Sequence, residues 1–221
     1  MAGDRVGPLT RERRRELTRT ALIESAADLF AKRGFHATSL EEIAAAAGFT
    51  RGAIYKNFTG KEEILIAVVD WTIERQFAAF ADALDEESGA SAADQASAAA
   101  DVWARLFQRD RDLTLLTLEL RLLALRNSEF RTQLADWERD QVERTARFIE
   151  DRLEGSGFTI TVSALDLAAV SLAGVEGISQ AAVIQEDGDE RANALIKVLY
   201  GLLSSVVVPI EPKRGGTKKR R

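Results

Sequence analysis

The chain has 221 residues, 46% of them hydrophobic and 29% charged, with a formal net charge of −5, no cysteine and one histidine. That length allows one large domain, or a small one and a medium one, with enough apolar material for a core. A disulfide framework, a thiolate metal site and a multi-histidine metal site are excluded.

The N-terminal stretch MAGDRVGPLTRERRREL is too polar for a signal peptide, so a cytoplasmic protein is expected. The three prolines, Pro8, Pro209 and Pro212, lie near the ends, and Ala, Leu, Glu and Arg dominate between them, which favours helix throughout. A first helix is predicted from Thr10 to Arg33, with Leu22, Ile23, Ala26, Ala27, Leu29 and Phe30 on its apolar face and Gly34 as its stop. Ser39 starts a second helix, and its spacing from Glu42 is that of a capping box. Leu40, Ile43, Ala44 and Ala47 then recur at helical spacing up to Gly48. Thr50 can cap a third helix, from Arg51 to Phe58, and a fourth runs from Lys61 to Asp85.

Further helices are predicted at 92–108, 110–127, 129–153, 163–186 and 190–208, about nine in all with those above, broken by EGSG at 154–157 and by EDGD. FTITV, residues 158–162, is the one short strand candidate. The fold class is therefore all-α. The apolar run from Leu167 to Gln185 approaches the length of a membrane span, but Glu176 at its centre argues for a buried helix and no membrane partner.

The second and third helices, joined through AGFT, form a helix-turn-helix pattern. Ile54 and Phe58 project together and can share a small core with Leu40, Ile43 and Phe49. A neighbouring arc carries Thr50, Arg51, Gly52, Tyr55 and Lys56. Arg51 and Lys56 can bond phosphate or guanine edges, Tyr55 can donate to a phosphate, and Gly52 lets the helix approach DNA closely. Thr38 and Ser39 begin the preceding helix and can meet a phosphate as well, and Lys61 can clamp a flanking one. Arg11, Arg13, Arg14, Arg15 and Arg19 either reach the DNA backbone or pair with Glu12 and Glu16. His36 reads as a turn residue.

The segment LIESAADLFAKRGFHATSLEEIAAAAGFTRGAIYKNFTGKEEIL, residues 22–65, resembles the DNA-binding domain of the tetracycline-repressor (TetR) family. The likeness covers about a fifth of the chain, with Gly60 where a serine or aspartate is usual. LRLLALRNSEFRTQLA, residues 120–135, resembles C-terminal domains common in that family. The resemblance implies a three-helix DNA-binding domain over 10–60 and a ligand-binding and dimerisation domain over 61–208. It also implies a homodimer on a palindromic double-stranded operator, acting as a repressor and released by a small molecule. A TetR-like activator or a partner-controlled regulator is the alternative.

In the body, a pocket is expected among Trp103, Phe107, Leu116, Leu120, Arg121 and Trp137, and the apolar surroundings favour a hydrophobic or aromatic effector. Glu119 and Arg121 are either a narrow polar edge or pocket lining. A dimer interface is expected at Val170, Gly174, Gly177, Ile178, Leu195, Val198, Leu199 and Leu202; the other reading makes them the monomer's core. Residues 209–221 read as a basic disordered tail. Charge is segregated: residues 1–60 hold ten Lys/Arg against seven Asp/Glu, 61–210 hold fourteen against twenty-seven, and 211–221 hold six against one. Such asymmetry points to terminal segments that meet a polyanion. No nucleophile elbow, Cys–His pair or phosphate-binding glycine loop is present, and Gly155-Ser156-Gly157 lacks a strand-turn-helix setting. No catalytic residue, metal or cofactor is expected.

Overall fold

The computed structural model describes residues 10–86, 98–103 and 111–210. In chain order the elements are α1 (Arg11–Arg33), α2 (Leu40–Ala46), α3 (Arg51–Asn57), α4 (Lys61–Glu86), α5 (helical at 98–103), α6 (Arg111–Arg126), α7 (Ser128–Leu153), β1 (Phe158–Ile160), α8 (Ala164–Ala182), α9 (Gly188–Ser204) and β2 (Val207–Pro209). The fold is all-α, with nine helical segments and one small sheet among the described residues. None of the described helices is long and apolar enough to cross a membrane.

The helix ends follow local chemistry. The Thr10 hydroxyl caps α1 by accepting from the Arg13 amide at 3.1 Å. Ser163 caps α8 in the same way, accepting from Asp166 at 3.0 Å. Gly34 and Gly48 end α1 and the α2 turn at φ 80° and 75°, where a side chain would be strained.

Two compact units are present. The first holds the described residues up to Ala78 together with Arg111–Leu134, and the second holds the described residues from Ala79 to 103 together with those from Ala135. In the first unit, Leu22, Ala26 and Phe30 of α1, Ile43 and Ala44 of α2, Ile54 of α3 and Ile64, Leu65, Val68 and Val69 of α4 are buried, with Phe35 and Phe58 in the connections. Phe49 does not join the predicted shared core: it is 37% exposed, and its amide closes the turn on the Ala44 carbonyl at 2.8 Å.

The second unit is built on a cluster of Phe80, Ala99, Ala100, Val102, Trp103, Val175 and Ile196, against which Phe148, Ile178, Leu199 and Tyr200 pack. Phe80 and Trp103 meet edge to face, with ring centroids 5.8 Å apart. Burial pushes the Tyr200 phenol far up, so it stays neutral. A Cβ on Gly174 would stand 2.7 Å from Leu199 Cδ2, so glycine at 174 lets the Leu199 side chain of α9 pack directly on α8.

The C-terminal part departs from the sequence expectation. The helix predicted to reach 208 stops at Ser204, and Val207–Pro209 pairs antiparallel with Phe158–Ile160. Pro209 sits at the end of that ladder, opposite Phe158, and so is not part of a tail. The remaining tail, residues 211–221, lies outside the described residues.

Ile54 is fully buried and Phe49 is not, so the two truncations should differ. Ile54→Ala should cost about 2–5 kcal/mol of unfolding free energy and Phe49→Ala about 0.5 kcal/mol or less. Urea titrations of the two variants check this; equal losses would contradict the packing described.

Candidate nucleic-acid interface

The predicted capping box at α2 is formed. The Ser39 hydroxyl accepts from the Glu42 amide at 3.2 Å, and the Glu42 carboxylate accepts from the Ser39 amide at 2.8 Å. Arg33 adds an ion pair to Glu42 at 2.8 Å, joining the end of α1 to the start of α2. Hydrogen bonds from the Ser39 backbone and side chain, with the Arg33 charge, hold the Glu42 carboxyl below the usual carboxylate range.

α3 is one short helix with two faces. Ile54 is fully buried, while Arg51, Gly52, Tyr55 and Lys56 are exposed, as is Thr50 before them. The predicted arc is therefore solvent-facing. Thr50 stands at the N-cap position with extended backbone, but its hydroxyl makes no capping bond, contrary to expectation. Arg51 is pre-oriented: its Nε bonds Glu41 of α2 at 2.9 Å, and a terminal nitrogen donates to the Tyr55 hydroxyl at 3.3 Å. These partners push the guanidinium still higher than its ordinary range, so it stays charged. Both ends of the Arg51–Glu41 pair are half exposed or more, so exchanging Glu41 for a phosphate or a base edge costs little. A Cβ on Gly52 would meet only the Thr50 hydroxyl, at 3.8 Å, so no contact within the chain demands glycine there.

Two predicted contacts are engaged internally. Thr38 is 1% exposed, and its hydroxyl donates to the Gly34 carbonyl at 3.0 Å, so its side chain belongs to the core and not to a phosphate site. The Lys61 ammonium donates to the carbonyls of Phe35 and Thr38 at 2.9 and 2.8 Å, and so is not turned to a flanking phosphate. Arg19, another candidate, lies over the Phe58 ring at 4.2 Å and donates to the Asn57 carbonyl at 3.1 Å, pinning the end of α3 to α1. Arg13 pairs with Glu16 at 3.0 Å, as the alternative reading had it.

His36 is a turn residue, as expected, but with a partner the spacing did not reveal: its Nε2 meets a Glu119 carboxylate oxygen of α6 at 2.5 Å. Glu119 is therefore engaged with the turn. Of the pocket candidates, Trp103 lies in the second unit's cluster, while Leu116 and Leu120 are buried on α6 in the first unit. Arg121 is exposed, Trp137 is half-buried, and Phe107 lies outside the described residues.

The expected dimer residues divide into two groups. Gly174, Ile178 and Leu199 pack within the chain, against α9 and the second unit's cluster, which corrects that part of the expectation. Val170 and Gly177 of α8 and Leu195, Val198 and Leu202 of α9 are exposed, at matching i, i+3, i+7-type spacing.

A three-helix head whose capped α2 leads through a tight turn into an α3 with one exposed polar face, followed by long helices, has the architecture of a helix-turn-helix protein with a helical body. Residues 22–68 match the family model for bacterial regulatory proteins of the tetR family. The chain is 48% identical over 61 residues to the HTH-type transcriptional regulator TtgR of Pseudomonas putida, covering 28% of this chain and 29% of that one. It is 37% identical over 82 residues to the HTH-type transcriptional repressor KstR2 of Mycobacterium tuberculosis, covering 37% of this chain and 38% of that one. These matches thus span less than two-fifths of the relatives' length. A solved TetR-family transcriptional regulator from Pectobacterium atrosepticum aligns over 91% of this chain and all of its own length, with a TM-score of 0.62 and 25% identity.

The lowered Glu42 carboxyl fixes a sign. A group depressed in the folded state adds stability that is present above its unfolded value and is lost as pH falls through the folded one. Glu42→Gln should therefore flatten the acid limb of the stability profile, and a carboxyl titration followed by NMR should place Glu42 below the ordinary value of about 4.3. An ordinary titration would remove the cap as its cause.

Proposed function

We propose that the chain is a DNA-binding transcriptional regulator whose α3 enters the major groove of a palindromic operator. The observation that carries this is the exposed arc of Arg51, Gly52, Tyr55 and Lys56 on a helix whose opposite face, at Ile54, is fully buried. Arg51 and Lys56 offer donors to phosphate and guanine, Tyr55 a hydroxyl, and Gly52 a close approach. Ser39 and Thr50 flank the arc. The relative named as a repressor supports repression, and an activator sharing the same head is the second reading.

Homodimerisation is part of the proposal. Val198 and Leu202 are 59% and 66% exposed on α9, beside Val170 at 54% on α8. An apolar stripe across two adjacent helices suits a four-helix bundle with a second copy. The regulator works in the cytoplasm without enzymatic activity. A small apolar or aromatic effector is taken up in the helical body, where Trp103, Phe80 and Phe148 form an aromatic cluster.

Selection from random duplexes with the full chain should recover one palindrome, lost with Tyr55→Ala and Lys56→Ala. No preferred sequence would remove the reading. Gly52→Ala should keep or raise thermal stability, since alanine is favoured over glycine in a helix by ~1 kcal/mol, yet weaken DNA binding. Sedimentation should give a dimer for the wild type and a monomer for Val198→Glu.

A further inference from the structure

The turn between α1 and α2 is gripped by a charge that neither helix supplies. On the first turn of α4, the Lys61 ammonium donates to three backbone carbonyls: Phe35 at 2.9 Å, His36 at 3.4 Å and Thr38 at 2.8 Å. It also stands 4.4 Å from the centre of the Phe35 ring. An ammonium has three N–H donors, and here three carbonyls receive them. The held turn is anchored at both ends, since Phe35 is 5% exposed and Thr38 1%, while His36 and Ala37 between them are exposed. Thr38 directly precedes Ser39, the cap of α2.

We propose that Lys61 is a positioning residue for DNA binding: it holds the Phe35–Thr38 turn, and through it the start of α2, and does not itself meet a phosphate. The proposal rests on the reading of α3 as the DNA-contacting helix. Its basis is a comparison of two states of one side chain. With the ammonium in place, three converging carbonyl dipoles face a cation. With the ammonium moved to a phosphate, the Phe35 carbonyl keeps only the bond from the Thr38 amide at 3.3 Å, and the Thr38 carbonyl, at a part-buried spot, gives up a charged donor at 2.8 Å. One exposed phosphate interaction, screened by salt, is a poor exchange. Glu119 of α6 holds the same turn through His36, so the cap of α2 is set from two helices beyond it.

Phosphate binding and positioning differ in salt dependence. Removing a side chain that neutralises one phosphate flattens the slope of log affinity against log salt by about 0.9, whereas removing a positioning residue weakens binding at unchanged slope. Lys61→Met, Lys61→Arg and, as the phosphate-binding control, Lys56→Met are compared in the full chain on the selected duplex by fluorescence anisotropy across a salt series. Lys61→Met and Lys61→Arg should each weaken binding about tenfold at the wild-type slope, because a planar guanidinium cannot serve three converging carbonyls. Lys56→Met should flatten the slope. A flattened slope in Lys61→Met, wild-type affinity in Lys61→Arg, or unchanged affinity in both overturns the proposal. Amide exchange without DNA provides a reading independent of the complex: the Ser39 and Glu42 amides should exchange faster in Lys61→Arg, and unchanged exchange counts against positioning. A wild-type chain with no sequence preference would sink the parent reading and this one with it, and that result comes from the wild type alone.

Discussion

Seven residues make barely two turns of helix, and α2 and α3 have seven each. Such segments are not stable alone in water, because nucleation costs more than so few backbone bonds return. They persist because Ile43 and Ile54, both fully buried, meet the face of α1 that carries Leu22, Ala26 and Phe30. Each such burial contributes about 1.5–3 kcal/mol. Every polar group on the outer arc of α3 takes its place in space from that apolar seam. The exposed chemistry is only as well aimed as the isoleucines beneath it are well packed.

The same dependence explains why cations of this segment have different roles. Arg19, Arg33 and Lys61 are engaged within the chain, by an aromatic ring, a capping carboxylate and a set of carbonyls. Arg51 and Lys56 stay on the surface. The engaged group fastens the ends of the short helices, where unsatisfied backbone groups gather. The outward group sits on the open face of α3, where the side chain is available to another molecule. A positive stretch of sequence thus splits into fasteners and solvent-facing groups.

What can be read from the sequence is local. The Ser39–Glu42 box spans three residues, the breaks at Gly34 and Gly48 belong to single residues, and the arc of α3 follows from helical period. The β1 segment is legible in its alternating FTITV pattern, but its partner is not, since VVP looks like the end of an apolar helix until Phe158 lies beside it. Thr38, Lys61 and His36 escape such reading, wholly or in part, for a related reason: each finds its partner through a turn or from another helix, and no periodicity encodes that distance. Gly174 belongs with them, because a small residue permits close approach without saying to which helix, and here it is Leu199 of the same chain.

The two-stranded sheet closes a mechanical loop. Thr161 donates to the Val206 carbonyl at 2.9 Å and Ile210 to that of Gly157 at 2.9 Å, so the entrance of α8 and the exit of α9 are buckled together. At its other end the pair is closed by Gly188, where any Cβ would run into the Ala182 carbonyl. Two helices fixed at both ends cannot scissor or slide past each other without breaking a buckle. They form a strut, and a push on either helix is carried to the other as a displacement of the whole piece.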